Sequence, residues 1–227
     1  VLPLQAIGSS YAFHTLGSSC VIQSHAYAAV RGMPLRNAAE DFYLLNKLAK
    51  VGPVHCARGA GVSITSRQSN RVPFGTGPAV GRLMNATNPC DVPLFYHADC
   101  FAALGQLRQL FRHWCNEPKT DTQAQLVEHL GAAIGADLER LLTQWDYQKA
   151  LRHIHTAGRS DAARQQHIHT WLDGFRLLKI IHLLRDHHFP NLTLNETMRL
   201  PDQWPVTHTG TPSGLRDAIY AHFGWSL

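Results

Sequence analysis

The chain lacks an apolar run of the length that a transmembrane helix needs, which is about 18 residues. Even the stretch FRLLKIIHLL is interrupted by Lys179 and His182. We therefore expect no transmembrane segment, although peripheral contact of an amphipathic helix with a membrane surface is compatible with the sequence.

Paired cysteines are also absent. The chain has five scattered cysteines, none of them in a C-x-x-C motif: Cys20, Cys56, Cys90, Cys100 and Cys115. An odd, scattered set argues against a disulfide framework and against a structural zinc site. We expect a reducing, cytoplasmic compartment.

There is no dense run of Lys and Arg. The formal net charge is +5 with neutral histidine, and the 15 histidines add positive charge just below neutral pH. This balance favours anionic partners only weakly. Because the basic residues are dispersed and not interleaved with aromatic residues, we do not expect nucleic-acid binding.

The sequence has neither an initiator methionine nor a signal peptide at Val1. Since it opens directly on a motif-rich region, we expect the natural protein to have further sequence upstream. The 227 residues are enough for one large domain or two small ones.

Residues 1–80 show the alternating pattern of predicted strands and helices that is typical of an α/β unit. Strands are predicted at TLGSSCVIQS (15–24), VHCA (54–57) and GVSITS (61–66), where β-branched residues are frequent. Helices are predicted at 24–30, capped by Ser24, and at 37–51. Alternating strands and helices are typical of α/β folds.

From Pro78 onward, apolar residues recur at three- and four-residue spacing, which predicts a helical region. The predicted helical segments are 99–115, 121–135, 136–155, 160–188 and a short one at 213–223. The segment 160–188 should be the longest helix, ended by Pro190. The expected fold class is therefore α+β and helix-dominated, with one unit at 1–80 and a helical domain at 81–227.

The segment RNAAEDFYLLNKLAKVG holds an unusual pair of acids. Asn37 and Glu40 predict a variant of the capping box, and Gly52 predicts a left-handed helix end. At about 100° per residue, Glu40 falls on the polar edge, where a capping role is expected, and Asp41 falls near the middle of an apolar arc. The arc comprises Phe42, Leu44, Leu45, Leu48, Ala49 and Val51.

A carboxylate on a core-facing stripe costs several kcal/mol unless it is paired or opens onto a cleft. Asp41 is therefore either a structural salt bridge or cap, or part of a site. Position alone leaves both interpretations open.

Three segments resemble family 2 glycosyltransferases. AEDFYLLNKLAKVG is similar to the E-D segment of that family, and SRQSNRVPFGTGPAV is similar to a loop of a bacterial subgroup. SSYAFHTLGSSCVIQSHAYAAVRGMP resembles the strand and helix that precede the E-D helix on the acceptor side of the site. The resemblance covers about residues 8–82, and residues 1–80 would then be the C-terminal half of an A-type catalytic domain.

The resemblance implies transfer of a sugar from a nucleotide-diphospho-sugar donor to a carbohydrate or other hydroxyl acceptor, usually with inversion. It assigns the general base to Asp41, which agrees with the need for an ionised carboxylate near the attacking hydroxyl. The leaving diphosphate implies a divalent metal, Mg or Mn, in the full-length enzyme. The family's D-x-D metal motif is absent from this chain, so the metal ligands and the nucleotide-binding half are expected mostly elsewhere, and no turnover is expected of this chain alone.

Other candidate substrate-binding residues accompany Asp41. Arg67 and Arg71 lie in a Gly/Pro-rich loop, where they would bind the leaving phosphate or be solvated. Gly75 and Gly77 belong to GTGPAVG, which has Val80 where the dinucleotide fingerprint needs its last glycine. We interpret them as turn residues that bring backbone amides close to a ligand.

The histidines and aromatic residues give weaker signals. His14 is a candidate for contact with the acceptor or a phosphate, and equally a satisfied core histidine. Glu40 is a candidate for substrate binding as well as for capping. The pairs His153/His155 and His167/His169 point to nearly opposite helix sides, so a metal site is not predicted. The aromatic residues of the helical region are expected in the core: Trp114, Trp145, Trp171 and Phe175.

The residues leave a second hypothesis open. In it the chain is a non-catalytic helical interaction module, and the E-D pair only caps a helix.

Overall fold

Helices make up nearly all the regular structure. The computed structural model describes residues 1–15, 19–57, 75–117, 120–200 and 203–224. The twelve α-helices of these residues are α1 (Leu2–Ala6), α2 (Ser24–Ala29), α3 (Glu40–Val51), α4 (Thr76–Asn85), α5 (Ala98–Asn116), α6 (Thr122–Leu130), α7 (Ala132–Gln144), α8 (Tyr147–Ala157), α9 (Asp161–Trp171), α10 (Gly174–His187), α11 (Leu194–Arg199) and α12 (Pro212–Phe223). The helix-dominated class is confirmed.

Strand pairing is scarce in the described ranges. It amounts to a single antiparallel bridge between Phe95 and Leu192. Residues 20–23 and the segment VHCA have no strand conformation, so both strand predictions are wrong there. Their apolar side chains Cys20, Ile22 and Val54 pack against the core without a ladder. The third predicted strand, 61–66, lies outside the described residues, and the A-type half stays a prediction.

The longest helix, α5, lies at the centre of the helical region. It contacts α1, α6, α8, α9 and α10. Its apolar residues recur every three or four positions, and Leu104, Leu107 and Phe111 are fully buried. Buried residues therefore run along the whole 19-residue helix, which lets it contact several neighbours.

Two of the long predicted segments are broken by local backbone conformation. Gly131, at φ 82° and ψ 160°, separates α6 from α7, and Asp146, at φ 52°, precedes α8. Asp173 ends the run from α9 and caps α10, because its Oδ1 accepts the N–H groups of Phe175 and Arg176. The prediction that 160–188 forms the longest helix is therefore wrong.

The start and end of α3 also differ from prediction. The N-cap is Ala39 in a left-handed conformation, without a side-chain cap, so the box between Asn37 and Glu40 does not form. Gly52 ends the helix in an extended conformation and not a left-handed one. Similarly, α2 begins at Ser24 itself, and its N-cap is Gln23 without a side-chain bond.

The core runs through both parts of the chain. It joins Leu44, Leu45 and Leu48 of α3 to residues of α5 and α10. Trp114 is buried, as expected, and its Nε1 donates to Gln125 Oε1 at 2.7 Å. The division at residue 80 stays a prediction. Within the described ranges, none of the helices combines the length and apolar character needed to cross a bilayer.

Candidate functional site

Helix α3 places Asp41 at the start of its buried face. Leu45 and Leu48 are one and two turns further on and are buried, while Asp41 itself is half-buried. The Asp41 carboxylate accepts the backbone N–H of Phe42 at 2.7 Å. The predicted core-facing stripe is confirmed at Leu44, Leu45, Leu48 and Ala49, but Val51, also predicted on it, is exposed at the helix end.

The segment before α3 folds back along the helix and fixes its position. Lys47 Nζ donates to the carbonyl of Gly32 at 3.0 Å. The Arg36 guanidinium lies 3.7 Å from the centre of the Tyr43 ring, a close cation–π contact. These contacts hold Gly32 and Arg36 of the segment 30–39 against α3.

Cys20 is electrostatically coupled to Asp41. Burial raises the pKa of the Cys20 thiol, and the negative charge of Asp41 raises it further. Cys20 therefore lies within electrostatic range of Asp41. It belongs to the segment for which the family resemblance implies the acceptor side of a site.

The other predicted residues lie on separate elements. Glu40 is half-buried at the first position of α3, next to Asp41. The His14 ring lies 5.6 Å from that of Phe223 at the end of α12, and burial followed by the charge of the N-terminal ammonium lowers its pKa. Arg67 and Arg71 lie outside the described residues. All the site assignments therefore stay predictions. Glu40 and Asp41 lie together on α3, and Gly75 and Gly77 lie together at the start of α4.

The two glycines lie at the start of α4. Gly75 precedes the helix at φ 86°, which requires a glycine-like backbone. Gly77 lines an open depression of about 580 Å³ together with Arg82, Asn85 and Asp91. Gly75 has the backbone conformation of a turn glycine, whereas Gly77 lies inside the helix, so its prediction as a turn residue is wrong. Contact of either glycine with a ligand stays a prediction.

A larger cavity of about 720 Å³ lies at the opposite end of α3. It is bounded by the end of α3, the α1–α2 connection, α5, α9 and the start of α10. Its lining residues are Gly8, Ser9, Ser10, Tyr11, Ala49, Lys50, Val51, Gly52, Pro53, Arg108, Arg112, Ala162, Gln165, Gln166, Ile168, His169, Leu172 and Leu177. Three are cationic and none is acidic.

Arg108 reaches from α5 to the N-terminal segment. Its guanidinium donates to the carbonyls of Ile7 and Gly8, the latter at 2.8 Å. Burial lowers the pKa of Arg108, and the positive charge of Arg112 lowers it further. The two arginines therefore lie close enough to repel each other.

A buried polar network underlies the cavity. Asp173 Oδ2 accepts from Lys50 Nζ at 2.5 Å and from Asn46 Nδ2 at 3.2 Å. Asn46 Oδ1 in turn accepts the N–H of Gly174 at 2.9 Å. Burial would raise the pKa of Asp173, but the bonds from Lys50, Arg176 N–H and Asn46 outweigh it and lower the pKa. The Lys50 ammonium is therefore ion-paired with the Asp173 carboxylate.

Sequence reasoning missed this cavity. The available signal was Arg108 and Arg112, which are four residues apart on a predicted helix and so on one face. The remaining lining residues come from four other segments, and no local pattern joins them.

The histidine pairs do not form a metal centre in the part of the chain that the structure describes. His153 and His167 approach across the α8–α9 hairpin, with ring centres 6.0 Å apart. His155 and His169 instead bond to backbone carbonyls of neighbouring helices. The described ranges contain no group of three or more potential ligands.

Comparison with known proteins adds no family assignment. Neither the family models, nor the curated proteins, nor the solved structures gave a match to this chain.

Proposed function

We propose that this chain is the acceptor-side part of an inverting glycosyltransferase, with Asp41 as the general base. The proposed reaction transfers a sugar from a nucleotide-diphospho-sugar to an acceptor hydroxyl. The proposal depends on one observation above all: the segment EDFYLLNKLAKV forms a single helix, α3, that holds Asp41 in its first turn.

The position suits a base. Asp41 lies in the first turn of a helix, where the backbone N–H groups point toward the side chain. A base acts by accepting the acceptor hydroxyl's proton as its oxygen attacks the anomeric carbon and the nucleoside diphosphate departs. The contacts of Lys47 and Arg36 fix the segment before α3 against the helix that carries Asp41.

The proposal includes a divalent metal, Mg or Mn, in the full-length enzyme. Since the described residues offer no set of three ligands, no step is assigned to a metal in this chain. A cytoplasmic location, with or without peripheral membrane contact, belongs to the same proposal.

Sugar transfer by the full-length protein tests the assignment. UDP-, GDP- and dTDP-sugars would be supplied with oligosaccharide acceptors, and the released nucleoside diphosphate measured. Asp41→Asn should reduce transfer by about 10²-fold or more, because general base catalysis contributes on that order. Asp99 occupies the same second position of α5, so Asp99→Asn is the matched control and should leave the rate unchanged.

One observation favours a second candidate, a non-catalytic helical interaction module. The bond between Asp41 and the Phe42 N–H is local, as in a purely structural first-turn residue. That role predicts that Asp41→Ala costs about 1 kcal/mol of unfolding free energy, while Asp41→Asn keeps both the bond and the function. Thermal unfolding of the two variants, measured beside the transfer rate, separates the candidates.

A further inference from the structure

The cavity at the end of α3 carries an excess of positive charge. Of its three cationic side chains, Lys50 is ion-paired with Asp173, so the excess positive charge belongs to Arg108 and Arg112. None of the described residues that line the cavity carries a carboxylate. Asp161, next to the lining residue Ala162, is paired with Arg164 at 2.7 Å.

The two arginines retain unused hydrogen-bond donors. A guanidinium has five N–H donors, and Arg108 uses two groups on the carbonyls of Ile7 and Gly8. Arg112 has no hydrogen bond or ion pair with any residue in the described ranges. Two guanidinium groups four residues apart on one helix are the arrangement that a bound oxyanion stabilises.

The rest of the lining suits a small organic molecule attached to that oxyanion. Gln165 offers an amide donor from α9, and Ser10 offers a hydroxyl, whereas the Gln166 amide already donates to the Lys50 carbonyl at 3.4 Å. Ile168 and Leu172 provide buried apolar surface. The volume of about 720 Å³ is within the usual range of small-molecule sites.

We propose that this cavity binds the phosphate group of a small phosphorylated molecule between Arg108 and Arg112. A phosphate fits better than a carboxylate because its charge approaches two and its oxygens can accept from two guanidinium forks. Binding would also remove the repulsion between the arginines.

This site is separate from the proposed base. Asp41 precedes Lys50 by nine residues of α3, which is about 13 Å along the helix axis. A phosphate bound at the arginines is therefore not the leaving group of a transfer at Asp41. The inference stands without the proposed function, and it would survive if Asp41 proved non-catalytic.

Calorimetric titration with inorganic pyrophosphate at constant ionic strength tests the proposal. We expect saturable binding to the wild-type chain and at least a tenfold weaker affinity for Arg112→Gln. Arg152→Gln is the matched control, since Arg152 is exposed on α8 and does not line the cavity. It should bind like wild type.

A second variant adds charge without removing a native contact. Ala162 is exposed in the first turn of α9, so Ala162→Glu should fold normally and place a carboxylate at the cavity. Pyrophosphate binding should be lost while the melting temperature is kept.

A vesicle flotation experiment distinguishes a lipid headgroup from a soluble phosphorylated ligand. It uses phosphatidylcholine vesicles with and without phosphatidic acid. Flotation that needs phosphatidic acid and Arg112 supports a lipid headgroup, and pyrophosphate binding without flotation supports a soluble ligand. Absence of both, or binding that is insensitive to Arg112→Gln and Ala162→Glu, overturns the proposal.

Discussion

Replacing Lys50 by methionine should destabilise the fold through Asp173. Lys50 Nζ lies 2.5 Å from Asp173 Oδ2, and the two side chains are only 29% and 11% exposed. Methionine keeps most of the apolar stem of lysine but removes the ammonium. The change therefore leaves a nearly buried carboxylate without its cation.

The magnitude follows from what Asp173 keeps. Breaking a buried ion pair by removing one partner costs on the order of 3–5 kcal/mol. Asp173 retains Asn46 Nδ2 and the N–H groups of Phe175 and Arg176, so the loss should be nearer that of one charged hydrogen bond. We expect about 2 kcal/mol of unfolding free energy.

Urea unfolding measures this loss. Lys149→Met is the control, because Lys149 is exposed on α8, and it should change the free energy of unfolding by less than about 0.5 kcal/mol. If Lys50→Met unfolds at the same urea concentration as Lys149→Met, the network does not stabilise the fold and the argument fails.

The pH dependence gives a second readout. The folded-state pKa of Asp173 lies below its unfolded value, so the unfolded state takes up its proton first as the pH falls. The stability contributed by Asp173 is present above the unfolded pKa and is lost as pH falls through the folded pKa. The difference in unfolding free energy between wild type and Lys50→Met should therefore have its full value near pH 6 and become smaller below about pH 4.

The remaining predictions concern the backbone and the thiols. Gly131→Ala should cost about 1–3 kcal/mol of unfolding free energy, because φ 82° and ψ 160° is nearly restricted to glycine. Gly52→Ala is its control: Gly52 is extended with open space around its Cα, so it should be neutral or slightly stabilising, and equal losses in the two variants would contradict the backbone argument. In the native protein at pH 8, a thiol reagent should modify exposed Cys56 but not Cys100 or Cys115, which are buried and whose pKa values are raised to about 11. Rapid native-state modification of Cys100 or Cys115 would show that the core around α5 opens readily.

Apolar spacing predicted where helices lie but not where they break. The apolar period continues across Gly131 and Asp173, so the pattern favoured unbroken helices. The breaks depend on two backbone positions with positive φ, Gly131 and Asp146, and on the side-chain cap of Asp173. Each break is set by a single residue, which a spacing pattern over many residues does not detect.

The strand predictions failed for a different reason. Short runs such as VHCA satisfy a strand pattern, but a strand also needs a paired neighbour, which a local pattern does not supply. Here Val54 packs on the core without one.

The candidate site was predictable only in part. The helical spacing of about 100° per residue could place Asp41 on the apolar face, because that placement depends on α3 alone. The cavity lined by Arg108 and Arg112 depends on contacts of α5 with the α1–α2 connection and with α9, and these segments are far apart in sequence. Arg108 and Arg112 could be recognised as neighbours, but their surroundings could not.

The kinetic effect of Asp41→Asn in the full-length protein is the most direct test of the central claim. A general base acts in the chemical step, so kcat for sugar transfer should fall about 10²-fold or more, while KM for the nucleotide-sugar and the melting temperature stay close to wild type. Asp99→Asn should match wild type in all three quantities. An Asp41→Asn enzyme that retains the wild-type kcat would contradict the assignment of Asp41 as the base.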